Sequence, residues 1–127
     1  MSEEKIEVAE GHTAEDLMGS IREKMQACMQ CGTCTGSCGS AYAMDCTPRQ
    51  MWRMVQLGLV DEIFNSRTFS LCSSCYYCTL RCPRGLPLTE TSHALKQLAV
   101  AKGVAEKKGA RFYQTFVDTV RRYGRVR

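Results

Sequence analysis

Apolar residues recur at helical spacing in four separate stretches of the chain. Leu17, Ile21, Met25 and Cys28 form the first stripe, the period of one helix face. Thr13 stands ahead of it as an N-cap, with Asp16 three residues on in the capping-box position. The second stripe, Met51, Met54, Val55 and Leu59, follows Thr47-Pro48, an N-cap and first-turn proline pair. Trp52 falls off that stripe, Gly58 sits near its end, and Asp61 to Asn65 reads as a further turn. A third helix opens at Pro87 or Thr89 and runs to about Lys102, with Leu88, Leu95, Leu98 and Ala99 on its apolar side. Gly103 and Gly109 bracket a lysine-rich link. The last helix, from about Ala110 to Tyr123, repeats Phe112, Phe116, Val120 and Tyr123, a face that closes the core or docks onto another subunit. No run of alternating β-branched residues signals a strand. The expected fold is mainly α.

Between the stripes lie two cysteine runs: Cys28-Met-Gln-Cys31-Gly-Thr-Cys34-Thr-Gly-Ser-Cys38 and Cys72-Ser-Ser-Cys75-Tyr-Tyr-Cys78-Thr-Leu-Arg-Cys82-Pro83. Both follow C-x2-C-x2-C-x3-C, the bacterial ferredoxin spacing for cubane iron–sulfur clusters. Three thiolates two residues apart wrap one cube, and the last cysteine of each run ligates the other cluster. The expected ligand sets are therefore Cys28, Cys31, Cys34 and Cys82 for one [4Fe-4S] cluster, and Cys72, Cys75, Cys78 and Cys38 for a second. Crossed sets force the two runs together and couple cluster binding to folding. Gly32, Thr33, Thr35, Gly36 and Ser37 are small enough to bring backbone N–H groups near the sulfurs, whereas Tyr76 and Tyr77 either shield a cluster or simply pack. Trp52 is expected to pack over a cluster or to face a partner.

Zinc also takes four cysteines, but its sites normally use two separate C-x2-C pairs. Structural disulfides sit badly with nine cysteines and no signal sequence. Cys46 belongs to neither run and is expected as a buried structural thiol, with a spare ligand or redox role as the rival. His93 is expected as a polar surface residue, because the runs already supply eight ligands. Arg81 and Arg84 flank Cys82, where they offset cluster charge, guide a partner or face water. Pro83 and the Arg84-Gly85-Leu86-Pro87 stretch turn the chain.

Composition narrows the picture further. The 127 residues, 44% hydrophobic and 24% charged, suit one globular domain. Residues 1–12 are polar and aperiodic and are expected to form a flexible tail, with residues 13–127 as the domain. No stretch reaches the ~18 apolar residues of a membrane span, and eight metal-bound thiols point to a reducing cytoplasm. Charge is uneven: residues 1–95 hold eight basic and eleven acidic side chains, and residues 96–127 hold nine basic and two acidic. A basic tail suits a solvated face or a protein partner; nucleic acid is not expected, since no stacking pattern or nucleic-acid motif accompanies the charge.

The two runs, the 33 residues between them from Gly39 to Leu71, the Asp45-x-x-Pro48-Arg49 connector and the Tyr123-Gly-Arg ending resemble the C-type iron–sulfur subunit of the heterodisulfide reductase family. Gly39 departs from the proline that often follows the fourth cysteine there. The same α-helical ferredoxin domain occurs in the iron–sulfur subunits of succinate dehydrogenase, fumarate reductase and glycerol-3-phosphate dehydrogenase, which are the alternative. Succinate dehydrogenase subunits carry a [2Fe-2S] domain ahead of it, and nothing of that kind fits into Met1 to Ala27. The resemblance implies a hetero-oligomeric subunit with no catalytic site of its own. It would relay electrons through two [4Fe-4S] clusters between an A-type subunit, which holds flavin and iron–sulfur groups, and a B-type subunit, which is catalytic.

Overall fold

The computed structural model describes residues 13–68, 70–104 and 107–126; the expected N-terminal tail, residues 1–12, lies outside them. Among the described residues there are seven α-helices and one short 3-10 turn, and no strand. Helix α1 (Ala14–Met25) opens with the expected box: Asp16 N–H donates to Thr13 Oγ1 at 3.2 Å and Thr13 N–H to Asp16 Oδ2 at 3.1 Å. Helix α3 (Pro48–Leu57) opens with a second box, in which Gln50 takes the reciprocal place opposite Thr47. It closes on Gly58, whose φ of 75° suits a residue without Cβ. The chain then forms α4 (Val60–Asn65), a short helix where a further turn was expected. Ile63 and Phe64 are the reason, since both are buried against the core.

Helix α1 packs against both α3 and α6 (Leu88–Ala101), around Met25, Trp52, Val55, Leu95 and Leu98, all nearly or fully buried. Each such side chain contributes about 1.5–3 kcal/mol of burial. Leu59, expected on the α3 stripe, is instead exposed because the helix has already ended at Gly58. The cysteine runs are not wholly loops. Each carries a five-residue helix, α2 (Thr33–Ser37) and α5 (Tyr77–Arg81), and these two pack against each other.

Helix α7 (Lys107–Tyr123) begins earlier than its apolar stripe suggested, so Gly109 lies inside it and does not end a link. A helical glycine costs about 1 kcal/mol relative to alanine, which a long helix tolerates. Its stripe does not close the core: Phe112 is 68% and Phe116 45% exposed, and Val117 and Val120 are also open to solvent. An amphipathic period specifies that a face needs cover, and here the apolar faces of α1, α3 and α6 already fill the core.

Candidate metal centre

The two cysteine runs share a backbone as well as a spacing. Gln30 and Ser74, each just before the second cysteine of its run, have φ of 60° and 57°. Gly32 and Tyr76, each just after it, have φ of 82° and 64°. These left-handed residues turn the chain twice within three positions, and three successive thiols line one hollow. Glycine takes this conformation freely, whereas for Tyr76 it costs about 1–2 kcal/mol.

The cysteines line two hollows. Cys28, Cys31, Cys34 and Cys82 line the first, together with Trp52, Arg49, Arg84 and Leu88. Cys38, Cys72, Cys75 and Cys78 line the second, together with Tyr76, Tyr77, Arg81 and Thr89. Leu88 and Thr89 are consecutive, so the hollows lie on either side of the first turn of α6. The fourth cysteine of each run thus sits with the first three of the other. Among the described residues no three His, Cys, Asp or Glu groups converge closely enough for a single ion. Four thiols held apart around a hollow suit a four-iron cube, which offers a separate iron to each thiolate. Tyr76 and Tyr77 border the second hollow but remain exposed, so their shielding is one-sided.

Matching positions of α3 and α6 hold the runs in place. After the third cysteine of each run stands a threonine. Thr35 Oγ1 accepts from Arg49 N–H at 3.0 Å, and Thr79 Oγ1 accepts from Thr89 N–H at 2.9 Å. Both acceptors serve the second residue of the following helix, where an N–H has no partner within the helix. Eight residues into α3, buried Gln56 donates from Nε2 to Met25 O at 2.8 Å and to Cys28 O at 3.0 Å. Eight residues into α6, Lys96 Nζ donates to Cys72 O at 2.9 Å. The first cysteine of each run is therefore tied by its carbonyl to the helix that follows the run.

His93 is not a simple surface residue. Half-buried, it shares a 2.7 Å hydrogen bond with Ser74 Oγ and braces the turn before Cys75. Arg84 Nε donates to Ala27 O at 3.2 Å, joining the end of the second run to the start of the first, and the Arg81 guanidinium lies 5.5 Å from the Tyr77 ring. Thr35, Thr79, Gln56 and Lys96 went unrecognised as holding residues in the sequence. The repeated Cys-Thr pair at the third cysteine was the available signal for the threonines.

Burial pushes the Cys34 thiol up to about 11 and raises that of Cys78, its counterpart in the second run. Cys31 is lowered by the Thr33 hydroxyl, 3.3 Å from its sulfur. A thiol raised in this way becomes a thiolate when a cation replaces its proton.

Cys46 lines neither hollow. Its sulfur is 2.9 Å from Thr68 Oγ1, its N–H donates to the same oxygen at 3.2 Å, and Thr68 is itself buried. Asp45 beside it accepts from Arg67 N–H at 2.9 Å. Burial works to raise the Asp45 carboxyl, and the N–H groups of Arg67 and Asp45, the Thr68 hydroxyl and the Arg67 charge together outweigh it to leave it lowered. The Asp45-Cys46 connector thus anchors the chain just ahead of the second run.

Comparison with known proteins agrees with this geometry. Residues 27–87, which include both runs, match the 4Fe-4S dicluster domain. Over 83 residues the chain is 46% identical to the C-type iron–sulfur subunit of the CoB-CoM heterodisulfide reductase of Methanopyrus kandleri, covering 65% of this chain and 43% of that one. Over 120 residues it is 39% identical to the second C-type subunit of the same enzyme from Methanocaldococcus jannaschii, covering 92% and 62%. Over 90 residues it is 35% identical to the C-type subunit of the H2:CoB-CoM heterodisulfide,ferredoxin reductase of Methanothermobacter marburgensis, covering 71% and 49%. The chain spans about half the length of these relatives. Its two [4Fe-4S] clusters follow from the dicluster match, and with these relatives the chain belongs to the family of C-type iron–sulfur subunits of heterodisulfide reductase.

Proposed function

We propose that this chain is an electron-transfer subunit of a heterodisulfide reductase or a similar complex in the cytoplasm. It passes single electrons between an A-type flavin and iron–sulfur subunit and a B-type catalytic subunit. One cluster is held by Cys28, Cys31, Cys34 and Cys82, and the other by Cys72, Cys75, Cys78 and Cys38. The observation that carries this reading is the division of the eight run cysteines, four and four, between neighbouring hollows. Each cluster, when bound, supplies a one-electron couple. The residues of this chain fix the thiolates, exclude water on the core side through Trp52 and Leu88, and place basic Arg81 and Arg84 at the rims. Four thiolates per site leave no iron open to a substrate, so disulfide chemistry belongs to another subunit.

The uncovered stripe of α7, flanked by Arg111, Arg121 and Arg122, supports docking of this subunit through a helix laid in a groove of a partner. The test is metal analysis and EPR on anaerobically purified, reduced protein. About eight iron and eight sulfide per chain are expected, with two interacting reduced clusters. Cys38→Ala should remove the second cluster and Cys82→Ala the first. Two intact cubanes in Cys38→Ala would refute the crossed sets. Disulfide reduction by the isolated chain at the rate of the assembled complex would refute the relay.

A further inference from the structure

We propose that the indole N–H of Trp52 donates a hydrogen bond to a sulfur of the cluster in the first hollow, and so raises the reduction potential of that cluster. The inference rests on the assignment of Cys28, Cys31, Cys34 and Cys82 to that hollow. Trp52 lines the hollow beside these four cysteines, and its residue is 2% exposed. Its Nε1 is fully covered and has no hydrogen-bond partner in the protein. A buried N–H left without an acceptor costs about 1–3 kcal/mol, and native structures rarely leave one so. The acceptors this hollow gains on loading are thiolate and sulfide sulfurs.

The second half of the molecule gives the same position a polar group. Trp52 is the fifth residue of α3, and Ser92 is the fifth residue of α6. Ser92 Oγ is the other buried side-chain atom without a partner among the described residues. Ser92 lines neither hollow, so the donor role rests on Trp52 alone.

A donor aimed at cluster sulfur favours the reduced state, which carries one more electron and puts more negative charge on the sulfurs. Trp52→Phe keeps a ring in the core and removes only the donor and the outer part of the indole. The experiment is an EPR-monitored redox titration of the full chain with both clusters, after iron and sulfide analysis. The equilibrium constant for one-electron reduction of one cluster should fall about tenfold, which is ~59 mV, while the other couple stays in place. Both couples unmoved, in a variant with full iron, would overturn the proposal.

Cys82→Ala separates this failure from failure of the ligand assignment. If Cys82→Ala removes a cluster and Trp52→Phe moves neither couple, the assignment stands and the donor role falls. If the couple moved by Trp52→Phe is the one that survives Cys82→Ala, the ligand set is wrong and the proposal falls with it.

A second measurement covers a variant that fails to load. Trp52 is the only tryptophan in the chain, so indole-15N tryptophan labels this one site. Pulsed EPR of the reduced native protein should then show a 15N coupling on one cluster, and its absence would also overturn the proposal.

Discussion

Replacing Gln56 by methionine tests the idea that α3 holds the first cysteine run by hydrogen bonds to its backbone. Methionine keeps the length of the side chain and removes both donors. The bond to Met25 O, 2.8 Å long, is buried, but that carbonyl also accepts from Cys28 N–H at 3.0 Å, so its loss costs about 0.5–1.5 kcal/mol. The bond to Cys28 O, 3.0 Å long, is partly buried, and its loss costs about 0.5–1.5 kcal/mol. Arg53, which donates to Gln56 Oε1 at 3.1 Å, is exposed and finds water instead. The total is about 1–3 kcal/mol. Unfolding of a cluster protein is irreversible in practice, so the quantity to read is the rate of cluster loss in denaturant. At 1.4 kcal/mol per tenfold, loss should quicken by roughly 5- to 140-fold if the bonds are absent in the transition state. Visible absorbance follows the rate, and EPR identifies the cluster that leaves first, which should be that of the first hollow. Lys96→Met should reverse the order, because Lys96 holds Cys72. A change below about threefold in Gln56→Met, or equal loss from both hollows, would refute the holding role.

Three further outcomes follow from the geometry. Gly32→Ala should cost about 1–2 kcal/mol, from its φ of 82° alone, since an added Cβ would meet only Arg49 Cδ at a comfortable 3.5 Å; the same cluster-loss assay reads it. Cys46→Ala should retain about eight iron, because its sulfur lies outside both hollows, and lose ~1 kcal/mol with the Thr68 bond; iron lost in proportion to one cluster would make Cys46 a ligand. Phe116→Asp should leave the EPR spectrum unchanged and weaken binding to the partner subunits at least tenfold, measured by pull-down of the assembled complex; unchanged binding would remove α7 from the interface.

The ferredoxin pattern, in which the last cysteine of a run serves the other cluster, led to the expectation of Cys38 beside the second run and Cys82 beside the first, and each lines the hollow so expected. The stripes through Ile21 and Met25, Met51 and Val55, and Leu95 and Leu98 were equally legible, since burial follows the helical period. Gln56 and Lys96 were not. A polar residue in a helix reads as solvent-facing, and nothing local reveals that its amide or ammonium meets a carbonyl about 24 to 31 positions away. His93 was misread for the same reason, its partner Ser74 lying in another segment. The left-handed turns at Ser74 and Tyr76 carry no glycine to announce them. The stripe of α7 was read correctly as a pattern, but a pattern of burial does not name the surface that supplies it.

Because each hollow draws residues from both runs, filling either one closes the same long loop between them. The entropy of that closure grows only slowly with loop length and is lost once, on whichever cluster enters first. The second cluster then meets a chain already drawn together, and so enters more favourably than it would have alone. Loading should therefore be cooperative. A population short of iron will divide mainly into empty and full molecules, with few that hold a single cluster.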